Sequence, residues 1–342
     1  MTNIAKKALA FDLSLLSKYR TELMGISMLM VLVCHARLLG ATFPETILSI
    51  LALGDRGVEL FFLLSGIGIY YSLSSFHKSE QGVLSWYKRR LTRILVPYLI
   101  IETPFWVYYC INNGLGVAEF LSYVSMISFW TDHVGPWFIA FLIPLYLISP
   151  LIYKLLSHSK NASIIACSFL ILLSSVFAKH PFKDFGYNSS VLENIQFCVQ
   201  RAPSYFIGML MGPFVKERKK LSYIWLLVLP VVYILIPIIP LTRGSFRGWI
   251  IGVFLIIAFA LIINLLDRTK IGRNVFVRLL SIVGSATLEI YIFADIIVNA
   301  LDGLLPGTYY FVATVLLALI LGILYHYIYL SFLSEEKTIK TV

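Results

Sequence analysis

The sequence predicts an all-α integral-membrane protein: a polytopic bundle of about ten spanning helices. Three observations predict it. Apolar residues make up 59% of the 342 residues, against roughly 45–50% in a soluble domain. Charged residues make up only 13%, about half the usual share, and the mean hydropathy is +0.84. The apolar residues gather in runs near the roughly 20 residues that a bilayer demands. Together these exclude a soluble enzyme, a disordered chain, a collagen-like repeat and a disulfide scaffold.

Taken in order, spans are expected at 23–42, 52–75, 93–111, 136–153, 162–178, 196–215, 222–240, 248–266, 280–301 and 309–332. The aromatic stretch 117–130 reads as a re-entrant or interfacial segment. Residues 1–20 form an N-terminal segment, 21–332 the membrane domain and 333–342 a tail. No cleavable signal peptide is expected; the first span inserts the chain. Cys34, Cys110, Cys167 and Cys198 sit in apolar stretches without CxxC spacing and read as packing residues.

Charge orients the bundle. The net charge is +10, but the basic residues lie between apolar runs, so nucleic acid is not an expected partner. Lys6, Lys7, Lys18 and Arg20 precede the first span. Lys78, Lys88, Arg89, Arg90 and Arg93 follow the second, Lys154 and Lys160 the fourth, and Lys216, Arg218, Lys219 and Lys220 the sixth. Arg268, Lys270, Arg273 and Arg278 follow the eighth, and Lys337 and Lys340 end the chain. Thus 21 of the 28 basic residues mark alternate connections. Lys179, Lys183, Arg243 and Arg247 lie on the other side. By the positive-inside rule both termini are cytoplasmic.

Ionisable groups inside a span are costly, so each is a site candidate: His35, Glu59, Glu102, Arg201, Glu289 and Asp295. The competing reading of each is an ion pair between helices without chemistry. His35 is expected two-thirds of the way across the first helix, the only histidine inside a helix core. Glu59 opens the second helix after a short outer connection. The two should meet at similar depth, the carboxylate orienting the imidazole as a base. Ser65 and Gly66 lie deeper, where small side chains admit a neighbouring helix or a ligand. Arg89 and Arg93 share a helix face, with Arg90 beside them. Such a fork suits phosphate groups, although flanking positive charge explains it as well. Tyr123, Trp130 and Trp137 could stack on sugar rings or anchor the protein at the interface.

The order of these segments carries a resemblance. A helix with His35 precedes GVELFFLLSG (57–66) and YKRRLTRILVPY (87–98). Trp137-Phe138 with Tyr146 and Pro150, then Arg201-Ala202-Pro203, and a late SATLEIY (285–291) follow. This pattern resembles the acyltransferase 3 family of bacterial integral-membrane O-acyltransferases, over about residues 18–330. The resemblance implies transfer of an acyl group, usually acetyl, from cytoplasmic acyl-CoA to a hydroxyl of an extracytoplasmic polysaccharide or lipid-linked sugar. It implies a plasma-membrane location, no permanently bound cofactor and no metal. His35 would be catalytic with Glu59 supporting it, and Arg89, Arg90 and Arg93 would hold the coenzyme phosphates. Trp137, Arg201, Glu289 and Tyr291 would line the substrate pocket. Two positions depart from the family: Met24 replaces an arginine, a role Arg20 could take from one turn below, and Ala294 replaces a histidine. A homodimer is left open. The alternatives are a transporter of a glycan or small solute, and an inactive scaffold; no two-fold sequence symmetry supports the former.

Overall fold

The computed structural model describes residues 10–76, 82–158, 168–172, 189–235 and 245–339. Most of the expected span 162–178, Cys167, and Lys6, Lys7, Lys78, Lys160, Lys179, Lys183, Arg243 and Lys340 lie outside the described residues.

Among the described residues the fold is all-α but for one pair of three-residue strands. In order the elements are β1 (Ala10–Asp12), α1 (Leu15–Lys18), α2 (Arg20–Cys34), α3 (Glu45–Ala52), α4 (Arg56–Phe76) and α5 (Val83–Asn112). Next come α6 (Val117–Val124), α7 (Ile127–Asp132), α8 (Trp137–His158), α9 (Ser190–Val199), α10 (Ala202–Lys216) and β2 (Lys220–Ser222). The chain ends with α11 (Ile224–Leu235), α12 (Ser245–Leu266), α13 (Arg278–Ser285), α14 (Thr287–Leu301) and α15 (Gly307–Ile339).

Among the described residues four helical stretches are long and apolar enough to cross a bilayer: Val83–Asn112, Trp137–Ser157, Gly248–Leu266 and Gly307–Ser331. A fifth is the pair α13 and α14, bent by 68°. The expected span 52–75 is the continuous helix α4, whereas 23–42 and 196–215 are interrupted. The first helix stops at Cys34, and His35 is its C-cap rather than a mid-helix residue. The connection that follows is not a simple short turn, since it contains α3. The expected helix 196–215 is two helices, because Pro203 lacks the N–H that would continue α9 into α10. The 117–130 stretch forms α6 and α7, each too short to span.

Polar and glycine-bearing helices occupy the centre. On α4, Gly66 packs against the backbone of α10: a Cβ there would sit 2.2 Å from the Tyr205 carbonyl oxygen. Gly208 mirrors it, with a would-be Cβ 2.2 Å from the Leu63 carbonyl. The same arrangement joins Gly25 of α2 to Gly284 of α13. These seams let backbones touch where any side chain would hold them apart. Gly66→Leu is therefore expected to lower the unfolding midpoint in detergent, by overpacking worth at least about 1–3 kcal/mol. An unchanged melting curve would show that the seam gives way freely.

One end of the bundle is clasped. β1 pairs antiparallel with β2, Phe11 opposite Leu221. Tyr19 donates to Asp267 at 2.8 Å, Lys18 pairs with the same carboxylate at 3.1 Å, and Arg273 binds its other oxygen at 2.9 Å. Hydrogen bonds from Tyr19, Lys18 and Arg273 draw the Asp267 carboxyl down to about 2. At the opposite end, Ala36, Leu39, Ala41 and Leu48 pack on Tyr310 and Phe311, so the segment after His35 caps the bundle.

Candidate functional site

A cavity of about 1710 Å³ runs between α2, α4, α5, α8, α14 and α15. Pockets for single small ligands are typically about 300–1,000 Å³, so this one has room for two substrates. At the clasped end Arg20, Arg89, Arg90 and Arg93 line it; toward the capped end His35, Arg201, Trp137 and Tyr291 line it. Between Arg20 and His35 the helix rises about 22 Å.

The arginine end is built by α4 and α5. Ser72 of α4 accepts hydrogen bonds from Trp86 Nε1 at 2.9 Å and from Arg90 Nε at 3.1 Å. These fix the first turns of α5 and present Arg89, Arg90 and Arg93 to the cavity. The Arg89 guanidinium lies over the Phe76 ring, 5.0 Å from its centroid. Arg20 reaches across from α2, its Nε 3.4 Å from the Leu64 carbonyl oxygen, and it interacts electrostatically with Arg90, Arg93 and Tyr146. Among the described residues no carboxylate pairs with any of these four arginines. A second hollow of about 480 Å³, lined by Ser72, Ser75, Phe76, Trp86, Arg89, Arg90 and Arg93, adjoins them. Four clustered cations without counter-charge favour a polyanionic ligand.

At the other end His35 caps the C-terminus of α2, exposed to the cavity. Its Nδ1 is 2.7 Å from the Val31 carbonyl oxygen. A carbonyl only accepts, so this contact places the proton on Nδ1 and leaves the Nε2 lone pair free to act as a base.

Glu59 makes no contact with His35. It is buried and absent from the cavity wall; Arg201 donates to it at 2.8 Å and Ser204 Oγ donates to its other oxygen. Arg201 also donates to Asp55 at 3.0 Å. The expected His35–Glu59 pair is thus replaced by two separate contacts. The backbone of Val31 orients the imidazole, and Glu59 neutralises the buried Arg201. Glu59→Ala should then cost stability rather than donor binding. Breaking a buried pair typically costs about 3–5 kcal/mol, and the loss should appear as a lowered unfolding midpoint. A stable variant with a selective rate defect would return Glu59 to the chemistry.

The other expected site residues divide in two. Ser65, Trp137, Arg201, Glu289 and Tyr291 line the cavity with His35. Gly66 does not, because the seam with α10 uses it. Tyr291 Oη accepts from the Phe138 N–H at 3.1 Å. Trp137 packs on Phe62 and Phe197. Tyr123 stacks on Trp106 at 4.3 Å, so one of its faces is already covered.

Sequence reasoning missed His326. It lies inside α15, so His35 is not the only histidine in a helix core. Its Nδ1 is 3.0 Å from Glu289 Oε1, and both residues line the cavity. The break between α13 and α14 brings them there. Ala286 leaves helical geometry at φ −101° and ψ 17°, and Ser285, Thr287, Leu288 and Glu289 turn into the cavity. The late SATLEIY segment is this break, not the continuous helix expected over 280–301. A histidine in a long apolar run was the available signal.

The family comparison covers this whole architecture. A family model described as an acyltransferase domain matches residues 23–328. Neither a curated protein nor a solved structure matches the chain. The match takes in His35, the arginines of α5 and the helix break at Ala286, and it spans most of the sequence. On that extent the chain belongs to the acyltransferase 3 family.

Proposed function

We propose that the protein is a plasma-membrane O-acyltransferase. It takes an acyl group, most simply acetyl, from cytoplasmic acyl-CoA and esterifies a hydroxyl of an extracytoplasmic polysaccharide or lipid-linked sugar. The observation that carries this reading is one cavity with arginines at one end that no carboxylate among the described residues pairs, and a tautomer-fixed imidazole at the other. The arginines suit the phosphates of coenzyme A, and the narrow pantetheine arm suits the space leading from them toward His35. The acceptor hydroxyl would enter from the capped side and lose its proton to His35 Nε2 as its oxygen attacks the thioester carbonyl.

In this reading the chain crosses the bilayer ten times with both termini cytoplasmic. The pairing of β1 with β2 supports it in part, since it puts residues 10–12 on the same side as the basic loop after α10. The test is purified protein in proteoliposomes given isotope-labelled acetyl-CoA and a glycan extract from bacterial envelopes. Label should pass to the glycan only when protein is present. Glycan or solute crossing the membrane without acylation would replace this reading with the transporter.

A further inference from the structure

One carboxylate in the cavity wall has no place in the scheme above. Asp55 closes a single 3-10 turn, Leu53–Asp55, between α3 and α4. That turn lies against the end of α2: a Cβ on Gly54 would sit 2.1 Å from the Met30 carbonyl oxygen and 3.2 Å from the Cys34 Cβ. Asp55 and His35 are the next residues along these two touching segments, and both line the cavity. So does Arg201, whose Nη2 donates to Asp55 Oδ1 at 3.0 Å.

Charge balance does not call for Asp55. Arg201 is already neutralised by Glu59, whose side chain is only 4% exposed. Asp55 is a second carboxylate on the same guanidinium, and its side chain stays 42% exposed. Its Oδ2 is 3.8 Å from Arg56 Nη1, beyond hydrogen-bond reach. A carboxylate only accepts, with about four lone-pair sites on its two oxygens, so most of this one is open to a ligand. Arg201 keeps N–H groups beyond the two that its carboxylates use. The pair thus offers a fixed acceptor beside a fixed donor. Trp137 and Phe197 line the same cavity, with ring centroids 5.0 Å apart. A largely apolar, aromatic wall with a few placed polar groups is what orients a small ligand.

Among the described residues, each arginine at this end already faces a carboxylate. Arg37 pairs with Glu45, Arg56 faces Asp55, and Arg201 faces Glu59 and Asp55. Asp295, three residues before Val298 of the cap, also lines the cavity and adds no positive charge. The cavity is therefore polarised. A polyanion suits the end with four unmatched arginines, and an uncharged, hydroxyl-rich ligand suits the His35 end. We propose that Asp55 and Arg201 form the acceptor subsite and hold an uncharged sugar that carries adjacent ring hydroxyls. Asp55 accepts from the hydroxyl beside the reacting one, Arg201 donates to an oxygen of the same sugar, and the apolar face of the ring rests on Trp137. The reacting hydroxyl then faces His35 Nε2. This inference rests on the acyl-transfer reading and adds to it the class of sugar. Asp55 binds substrate and takes no proton from it.

The test joins sugar binding to kinetics. The probes are the methyl glycosides of galactose, glucose and mannose, their 3-deoxy analogues, which keep no two adjacent ring hydroxyls, and the matching uronides. Saturation-transfer NMR on purified wild-type protein should detect a methyl hexoside, with the 3-deoxy analogues and the uronides bound at least about ten-fold more weakly. Asp55→Asn keeps an oxygen for Arg201, and Glu59 still balances the guanidinium, so this variant should fold. It should lose hexoside binding and raise the KM for envelope glycan by about ten- to a hundred-fold, the worth of a hydrogen bond to a charged group, while the KM for acetyl-CoA stays unchanged. An ion pair that served structure alone would lower the unfolding midpoint without separating the two KM values. Wild type that binds no hexoside, uronides bound as tightly as hexosides, or Asp55→Asn with an unchanged glycan KM would each overturn the proposal. If wild type transfers no acyl group, the acyl-transfer reading falls, and hexoside binding with and without Asp55 still decides whether the subsite exists.

Discussion

Replacing His35 with alanine is expected to lower acyl transfer by about 10²–10⁴-fold, the usual contribution of a general base. Donor binding should persist, because Arg20 lies about 22 Å away along α2 and Arg89, Arg90 and Arg93 line the same far end of the cavity. Folding should persist too. His35 caps α2 through a contact to Val31, and its ring faces the cavity rather than a packed neighbour. The measurement is turnover in proteoliposomes set beside acyl-CoA affinity by calorimetry. A His35→Ala variant with wild-type turnover would remove the proposed mechanism and leave only the binding cavity to explain.

The second large effect is at the donor end. The Arg89→Ala, Arg93→Ala double variant should weaken acyl-CoA binding while the protein stays folded. Each charge-assisted phosphate contact is worth roughly 1.5–3 kcal/mol, so each loss weakens binding by about ten- to a hundred-fold. Arg90 is a poorer test, since its bond to Ser72 also holds α5 on α4. Donor affinity should fall with added salt in wild type, and less steeply in the variant. Unchanged affinity would mean that these arginines only orient the chain in the membrane.

Much of the fold is legible in the sequence because bilayer thickness and side-chain chemistry act locally. The runs that became α5, α8, α12 and α15 each hold an apolar stretch of spanning length, and composition finds them. The central helices are harder to read. α2 and α4 carry polar groups and glycines whose purpose is another helix, so their ends depend on partners far away in sequence. The same distinction runs through the site. Arg89, Arg90, Arg93 and His35 are readable as types in a place, since a basic fork and a membrane histidine stand out alone. Which group each buried carboxylate meets is not readable. Glu59 has His35 nearer in sequence, yet Arg201 takes it, because the break before Pro203 turns that guanidinium inward. His326 looked like part of a lipid-facing run until the 68° bend at Ala286 brought Glu289 against it.

The clasp at the basic end has a consequence for how the protein is made. β1 leaves the ribosome first, but its partner strand follows roughly 200 residues later. At a synthesis rate of about 5–20 residues per second, the edge of β1 waits about 10–40 s for β2. Tyr19 waits longer still for Asp267. Until then α2 cannot be held at its final depth, and the cavity wall that it forms stays unfinished. Maturation of the site is thus timed by the last third of translation. A ribosome stalled before residue 220 would leave β1 without its partner strand and the amino-terminal latch open.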